Sequence, residues 1–113
     1  MNLTNKPILL KLKHKNKGNT LLAEAIDDLI KIIEGRNWTS KVEILKDRPD
    51  ADQVHKDGFY FFDIHIHRTL ILLELGANRE ATVVWGGTHA EYEAVFKNNK
   101  ETIKRWLSKQ GWI

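Results

Sequence analysis

The chain has 113 residues, a formal net charge of +3 and a hydrophobic fraction of 42%, and it contains no cysteine. This composition is typical of one globular domain spanning residues 1–113. It excludes disulfides, thiolate metal sites and cysteine nucleophiles, and it fits a reducing compartment. No apolar run approaches the ~20 residues of a membrane span, and lysines interrupt the short N-terminal one, so we expect neither a membrane segment nor a signal peptide.

Positive charge is concentrated at the two ends of the chain. Residues 1–18 contain five lysines and no acid, and residues 94–113 contain five basic residues and one acid, whereas the segments between them are neutral or acidic. If the two ends meet in space, they form one positive surface suited to a polyanion. The alternative is a pair of solvated lysine-rich faces that serve solubility alone.

The first third of the chain predicts a helical hairpin. Helix one has Pro7 in its first turn, where the missing N–H costs nothing, and ends at Gly18. Asn19 or Thr20 caps helix two, and Gly35 is the first residue beyond it. The apolar positions of helix two recur at helical spacing and predict a wide buried face: Leu22, Ala25, Ile26, Leu29, Ile30 and Ile33.

A small antiparallel sheet is predicted to follow. The alternation of Val42 and Ile44 favours a short edge strand over Lys41–Leu45, and the polar stretch Lys46–Asp57 favours a loop. Three runs rich in aromatic and β-branched residues then predict a meander: Phe59–Ile66, Thr69–Leu75 and Ala81–Trp85. In the first run the even-numbered side chains are apolar and are expected to pack on the helices.

A closing helix completes the predicted fold. Thr88 and Glu91 have the spacing of a capping box, which sets the start of this helix, and Asn98-Asn99 is expected to interrupt it. The predicted fold class is therefore α+β, with an N-terminal helical hairpin packed on a small antiparallel β-sheet and a C-terminal helix.

Two histidines near the end of the first meander strand form a candidate metal site. His65 and His67 would project from the same face of one strand, about 7 Å apart. A metal would need a third ligand, for which Asp63, His55 and His89 are candidates. Two alternatives remain: partly exposed turn histidines without a ligand, or histidines that face a phosphate.

Three further residues suit phosphate chemistry. Arg68 can bind a phosphate bidentately, although a surface arginine in a hairpin is an equal alternative. His89 and Tyr92 share one face of the first helical turn, where free N–H groups favour an anion. An imidazole there is a candidate general base, whereas Tyr92 can instead belong to the core. No Walker or Rossmann phosphate loop and no serine nucleophile elbow is present.

The sequence resembles the RelE-type toxins of bacterial toxin–antitoxin pairs, and among these the HigB group. The resemblance extends over residues 25–93. It is carried by the Trp38 loop, the proline-centred stretch Lys46–Asp52, the FYFFDI strand and, most specifically, Trp85-Gly-Gly-Thr-His-Ala-Glu-Tyr92.

This resemblance implies a RelE-like fold and a cytoplasmic endoribonuclease that cuts mRNA on the translating ribosome without a metal or other cofactor. It also implies a HigA-like helix-turn-helix antitoxin, through which the complex would bind operator DNA. In the matching motif, His89 and Tyr92 fall at positions near the scissile phosphate. Relatives place an arginine in the strand before this motif, where the present chain has Val84, and another basic residue where it has Leu70 or Arg68.

The expected catalytic residues are therefore His89, Tyr92, Arg68 and His67, with the last two supplying charge that the strand lacks. The expected RNA-binding residues are basic side chains near the two ends of the chain: Lys97, Lys100, Lys104, Lys11 and Lys13. Because the strand arginines are missing, a second hypothesis is a non-catalytic module on the same scaffold that binds RNA, the ribosome or another target such as a topoisomerase. A third is a histidine-rich metal protein.

Overall fold

The computed structural model describes every residue from Met1 to Ile113 and has α+β architecture, as predicted. Its elements in chain order are β1 (Asn2–Thr4), α1 (Pro7–Lys15), α2 (Thr20–Gly35), α3 (Lys41–Asp47), β2 (Asp52–His55), β3 (Phe59–Ile64), β4 (His67–Glu74), β5 (Glu80–Thr88), α4 (His89–Phe96) and α5 (Lys100–Lys109). None of the helices combines the length and the apolar character needed to span a membrane.

The five strands form one sheet in the order β1-β5-β4-β3-β2. The predicted meander is confirmed, because β3, β4 and β5 pair antiparallel in sequence. The sheet is nevertheless mixed, since β1 pairs parallel with β5. Helices cover both faces, which explains why β3 and β4 are apolar on both sides.

The face covered by α1 and α2, hereafter the scaffold face, holds the larger core. The predicted apolar stripe of α2 is confirmed, with four of its side chains fully buried: Leu22, Ile26, Leu29 and Ile33. The even-numbered residues of β3 pack against the helices on this face, as predicted: Tyr60, Phe62 and Ile64. Asn19 caps α2 by accepting a hydrogen bond from Leu22 N, 3.1 Å away.

The face covered by α4 and α5, hereafter the aromatic face, holds a separate core in which Phe61, Tyr92 and Phe96 are at most 1% exposed. The predicted capping box is confirmed, because Thr88 and Glu91 exchange both hydrogen bonds. The break after α4 is also confirmed: Lys97 and Asn98 have φ of 54° and 46°, and Asn99 then caps α5.

The predicted edge strand over Lys41–Leu45 is wrong, since these residues lie in helix α3. Ser40 accepts a hydrogen bond from Glu43 N, 3.3 Å away, so a helix cap decided the conformation rather than the short alternation. Val42 is 76% exposed whereas Ile44 is fully buried, which is the one-sided burial of a short surface helix.

Several other boundaries differ from the prediction. Helix α1 ends at Lys15 rather than at Gly18. The stretch Lys46–Asp57 is a loop only in part, because Asp52–His55 forms the edge strand β2 against β3. Strand β1 carried no local signal, being three residues long and paired with the distant β5. Gly35 is the last residue of α2 rather than the first beyond it.

Candidate functional site

Three of the four predicted catalytic residues meet around the ring of Tyr92. The His89 ring lies edge-on to it, with 5.6 Å between ring centres. The Arg68 Cζ atom lies 4.6 Å from the centre of the Tyr92 ring and 4.9 Å from that of Phe61. His89 is exposed and Tyr92 is buried, so the imidazole reaches solvent next to the buried ring of Tyr92.

The charge of Arg68 is already balanced by two carboxylates. Its Nε donates to Asp63 Oδ1, 3.1 Å away, and its Nη2 lies 3.9 Å from Asp52 Oδ2. The Arg68 side chain is only 14% exposed, whereas those of Asp63 and Asp52 are 57% and 51% exposed. Because ion pairs with exposed carboxylates are weak, a phosphate can displace them, but Arg68 is not freely available.

The hydroxyl of Tyr92 points away from solvent and is held within the fold. It donates a hydrogen bond to Asn98 Oδ1, 2.8 Å away. Burial raises the pKa of Tyr92, and the nearby Arg68 offsets only part of this effect. The phenol therefore stays protonated at neutral pH and acts as a platform for His89 and Arg68. Asn98 was not predicted to accept a hydrogen bond from Tyr92. The sequence indicated Asn98 only as part of the break after α4.

His67 does not join this group. Adjacent residues of a strand project to opposite faces, so His67 lies on the scaffold face while Arg68 lies on the aromatic face. His67 is 3% exposed, and neither of its ring nitrogens has a hydrogen-bond partner. Burial lowers its pKa, an effect that the charge of Glu91 partly offsets.

The paired-histidine metal site is not formed. His65 lies in the turn between β3 and β4, with φ of 60°, and is exposed, whereas His67 is buried in β4. The two imidazoles therefore do not share a strand face. No three histidine, aspartate or glutamate side chains converge anywhere in the chain in a way that could hold a metal ion.

The carboxylate of Glu91 already lies at the N-terminus of α4. Glu91 Oε1 accepts from Thr88 N at 2.9 Å, and Glu91 N donates to Thr88 Oγ1 at 3.0 Å. Hydrogen bonds from Thr88 lower the pKa of Glu91, and Lys15 and His67 add to this effect. The helix N-terminus that we expected to attract phosphate is thus partly neutralised by Glu91.

A glycine in the same motif allows this packing. A Cβ atom at Gly87 would lie 2.8 Å from the Trp85 ring and 3.2 Å from Glu91 Oε1. Any side chain there would therefore displace the Trp85 ring or break the cap that starts α4. The Gly-Gly step positions His89 and Tyr92 without contacting them itself.

The predicted RNA-binding lysines fall on two separate surfaces. Lys11 and Lys13 belong to α1, which packs beside β5 on the scaffold face, whereas Lys100 and Lys104 belong to α5, which packs near β2 on the aromatic face. The two basic ends of the chain therefore do not meet. Lys13 Nζ is also ion-paired with Asp27, 2.9 Å away. Lys97 is exposed at the end of α4, about 12 Å along the helix from His89.

One family model matches residues 22–95 of the chain, and it is described as HigB_toxin, the RelE-like toxic component of a toxin-antitoxin system. The match runs from α2 through α4 and includes Arg68, His89 and Tyr92, while α1 and α5 lie outside it. No curated protein sequence is significantly similar to the chain.

Proposed function

The chain belongs to the HigB toxin family, the RelE-like toxic components of toxin–antitoxin systems, and from this premise we propose that it is an endoribonuclease that cleaves mRNA on the translating ribosome. Its family implies an antitoxin partner. We propose that this partner is a HigA-like helix-turn-helix protein through which the complex binds operator DNA, and that the toxin acts in the cytoplasm.

The observation that carries the nuclease proposal is that the exposed imidazole of His89 and the guanidinium of Arg68 both lie against the ring of Tyr92. Both groups lie within 6 Å of the Tyr92 ring centre, at distances of 5.6 and 4.6 Å. One site therefore offers an imidazole, which can accept and donate a proton, and a fixed positive charge. Cleavage of RNA by its own 2′-hydroxyl needs these two functions and no metal.

In the proposed reaction, neutral His89 accepts the proton of a 2′-hydroxyl while that oxygen bonds to the adjacent phosphorus. The bond between phosphorus and the 5′ oxygen breaks, and this oxygen takes a proton from water or from the imidazolium that His89 has become. The products are a 2′,3′-cyclic phosphate and a 5′-hydroxyl. Arg68 stabilises the charge on the phosphate after its two carboxylate partners move aside.

The burial of Tyr92 defines its role in this proposal. Its hydroxyl is hydrogen-bonded to Asn98 and does not face solvent, so Tyr92 orients the other two groups and transfers no proton. Lys97, Lys100 and Lys104 lie on the aromatic face and bind phosphates farther along the RNA strand. Lys11 and Lys13 contact RNA only where the ribosome presents a second surface, and buried His67 takes no part.

The experiment that tests the proposal compares two histidine variants. We expect His89→Ala to lower mRNA cleavage about 10²- to 10⁴-fold, the usual contribution of general acid–base catalysis. The measurement is the mapping of new 5′ ends in cellular mRNA after induction of the toxin. His14→Ala is the matched control, because His14 is also an exposed histidine but lies on α1, outside the site. Equal cleavage by His89→Ala and the unaltered chain would remove His89 from catalysis.

A non-catalytic binding module is the second candidate function. It is favoured by the two carboxylates that balance Arg68 and by Val84 at the strand position where relatives have an arginine. If this candidate is correct, induction arrests growth without producing new mRNA 5′ ends, and His89→Ala arrests growth as strongly as the unaltered chain.

A further inference from the structure

An open groove of about 900 Å³ lies between α5 and the sheet edge formed by β2. We name it the α5–β2 groove. Four lysines line it, two from helix starts and two from other positions: Lys41, Lys56, Lys100 and Lys104. Two acids, Asp57 and Glu101, line it as well. The groove therefore has a positive balance of charge, and nine of its eleven lining residues are polar or charged.

The four groove lysines are free of ion pairs, which distinguishes them from several cations elsewhere in the chain. Lys6, Lys13, Arg36, Arg48 and Arg68 all have carboxylate partners within 4 Å. Asp57 approaches His55 instead, at 3.7 Å. Uncompensated cations that share a concavity raise the local potential and favour a polyanion.

Two of these lysines occupy positions that are unfavourable for the fold itself. Lys41 is the first residue of α3 and Lys100 is the first residue of α5. The positive end of the helix dipole disfavours a cation at the first helical position. Helix stability therefore does not account for lysine at either place, whereas binding of an anion in the groove does.

The groove and the proposed catalytic site both border β2. Asp52 of this strand approaches Arg68, and the next residue, Gln53, lines the groove. Helix α5 packs on the aromatic face through Ile103 and Leu107, the same face that carries His89 and Arg68.

The chemistry of the wall favours nucleic acid over protein as the occupant. Only Val54 and Ile113 of the lining residues are hydrophobic, whereas protein partners are anchored by buried apolar and aromatic side chains. The wall also lacks an exposed aromatic platform for a base. Lysines without such a platform bind the phosphate backbone and do not read the base sequence.

We propose that the α5–β2 groove binds the sugar-phosphate backbone of single-stranded RNA next to the catalytic site, irrespective of sequence. This inference rests on the proposed nuclease function for the identity of its ligand. The family match includes the groove wall supplied by α3 and β2 and does not include the wall supplied by α5.

The test uses the full chain carrying His89→Ala, so that bound RNA is not cut. The probe is a fluorescent single-stranded RNA of about twelve nucleotides, within the size range of single-strand binding grooves. Its affinity is measured by anisotropy across a series of salt concentrations. Lys100→Gln/Lys104→Gln is compared with Lys17→Gln/Lys31→Gln, a matched pair of exposed lysines on the scaffold face that line no part of the groove.

We expect the groove pair to bind RNA roughly tenfold more weakly at low salt, and its log–log salt slope to become shallower by about 1.4, or about 0.7 for each phosphate contact. The control pair should retain the affinity and slope of the parent. Equal losses of RNA affinity in the two double variants, or no loss in either, would overturn the proposal. So would unchanged RNA affinity with loss of binding to the antitoxin that the family implies, because the occupant would then be a protein.

Failure of the groove and failure of the proposed function give different results. If the groove pair binds RNA normally and the chain with His89 intact cleaves mRNA, only the groove is wrong. If the groove pair loses RNA affinity but no chain cleaves mRNA, the groove stands as a binding site and the nuclease proposal is wrong.

Discussion

The two faces of the sheet differ in composition and therefore in their roles. The scaffold face buries a cluster of 18 residues, mostly aliphatic, contributed largely by α1, α2 and the strands. The aromatic face buries a cluster of nine, in which Phe61, Tyr92 and Phe96 stack edge-on or tilted against one another. One face stabilises the fold, whereas the other holds a guanidinium and an imidazole at the surface.

The proposed site lies on the aromatic face, at a surface without a deep pocket. Flat aromatic rings on the aromatic face support Arg68 from below, through distances of 4.6 and 4.9 Å to the ring centres of Tyr92 and Phe61. Such cation–π contacts fix a charged group while leaving an edge of it exposed. Aliphatic side chains on the scaffold face could not do this, because they give packing without orientation.

The largest expected effect comes from neighbouring phenylalanines that point to opposite faces. Phe62→Ala and Phe61→Ala should each lower the free energy of unfolding by about 3–5 kcal/mol, because both side chains are fully buried. Cleavage per folded molecule should fall only for Phe61→Ala, which removes contacts with Tyr92 and Arg68. Denaturant unfolding and mRNA cleavage measure the two quantities. Equal losses of specific activity would show that the faces are not separable.

The second prediction concerns the pH dependence of stability, which involves the scaffold face through His67. Burial lowers the pKa of His67 below its ordinary value of 6.5, so the unfolded chain binds this proton more readily than the folded one. The contribution of His67 to the free energy of unfolding is therefore fully present above pH 6.5. Below that pH, acidification lowers the free energy of unfolding by up to about 1.4 kcal/mol per pH unit.

Thermal unfolding at several pH values measures this loss, and His67→Leu should abolish it. The control is His14→Asn, which also removes one imidazole but from an exposed position on α1. A loss of equal size in His67→Leu would assign the effect to other groups.

The smallest effect separates the ring of Tyr92 from its hydroxyl. Tyr92→Phe should cost about 0.5–1.5 kcal/mol of stability, since the hydrogen bond to Asn98 is lost, and should retain most of the cleavage activity. Tyr92→Leu should lose activity, because the ring beneath Arg68 and beside His89 is gone. The rate of mRNA cleavage by folded protein distinguishes the two variants. Loss of activity in Tyr92→Phe would instead indicate that the hydroxyl takes part in proton transfer.

The parts of the fold that the sequence predicted were those with a strong local pattern. The apolar stripe of α2, the capping box of Thr88 and Glu91 and the three meander strands all have such patterns, and all are present. The two missed strands share one cause, which differs from the local helix cap at Ser40 that produced α3. Strands β1 and β2 are short and polar, and they form because a longer strand offers hydrogen bonds to them, so tertiary pairing overrode local propensity.

The site was predictable as residue types but not as geometry. The sequence indicated His89, Tyr92 and Arg68, which do converge. It grouped His67 with Arg68 because they are adjacent, although the strand sends them to opposite faces. The two carboxylates that balance Arg68 come from β2 and from the partner position on β3, so only the strand register revealed them.

The chemical identity of the RNA ends tests the central claim most directly. The proposed reaction uses the 2′-hydroxyl as nucleophile, so fragments of mRNA cut by the purified toxin on translating ribosomes should carry a 2′,3′-cyclic phosphate and a 5′-hydroxyl. The same fragments should be absent with His89→Ala and present with His14→Ala. Fragments ending in a 5′-phosphate, or undiminished cutting by His89→Ala, would contradict the assignment of catalysis to the aromatic face.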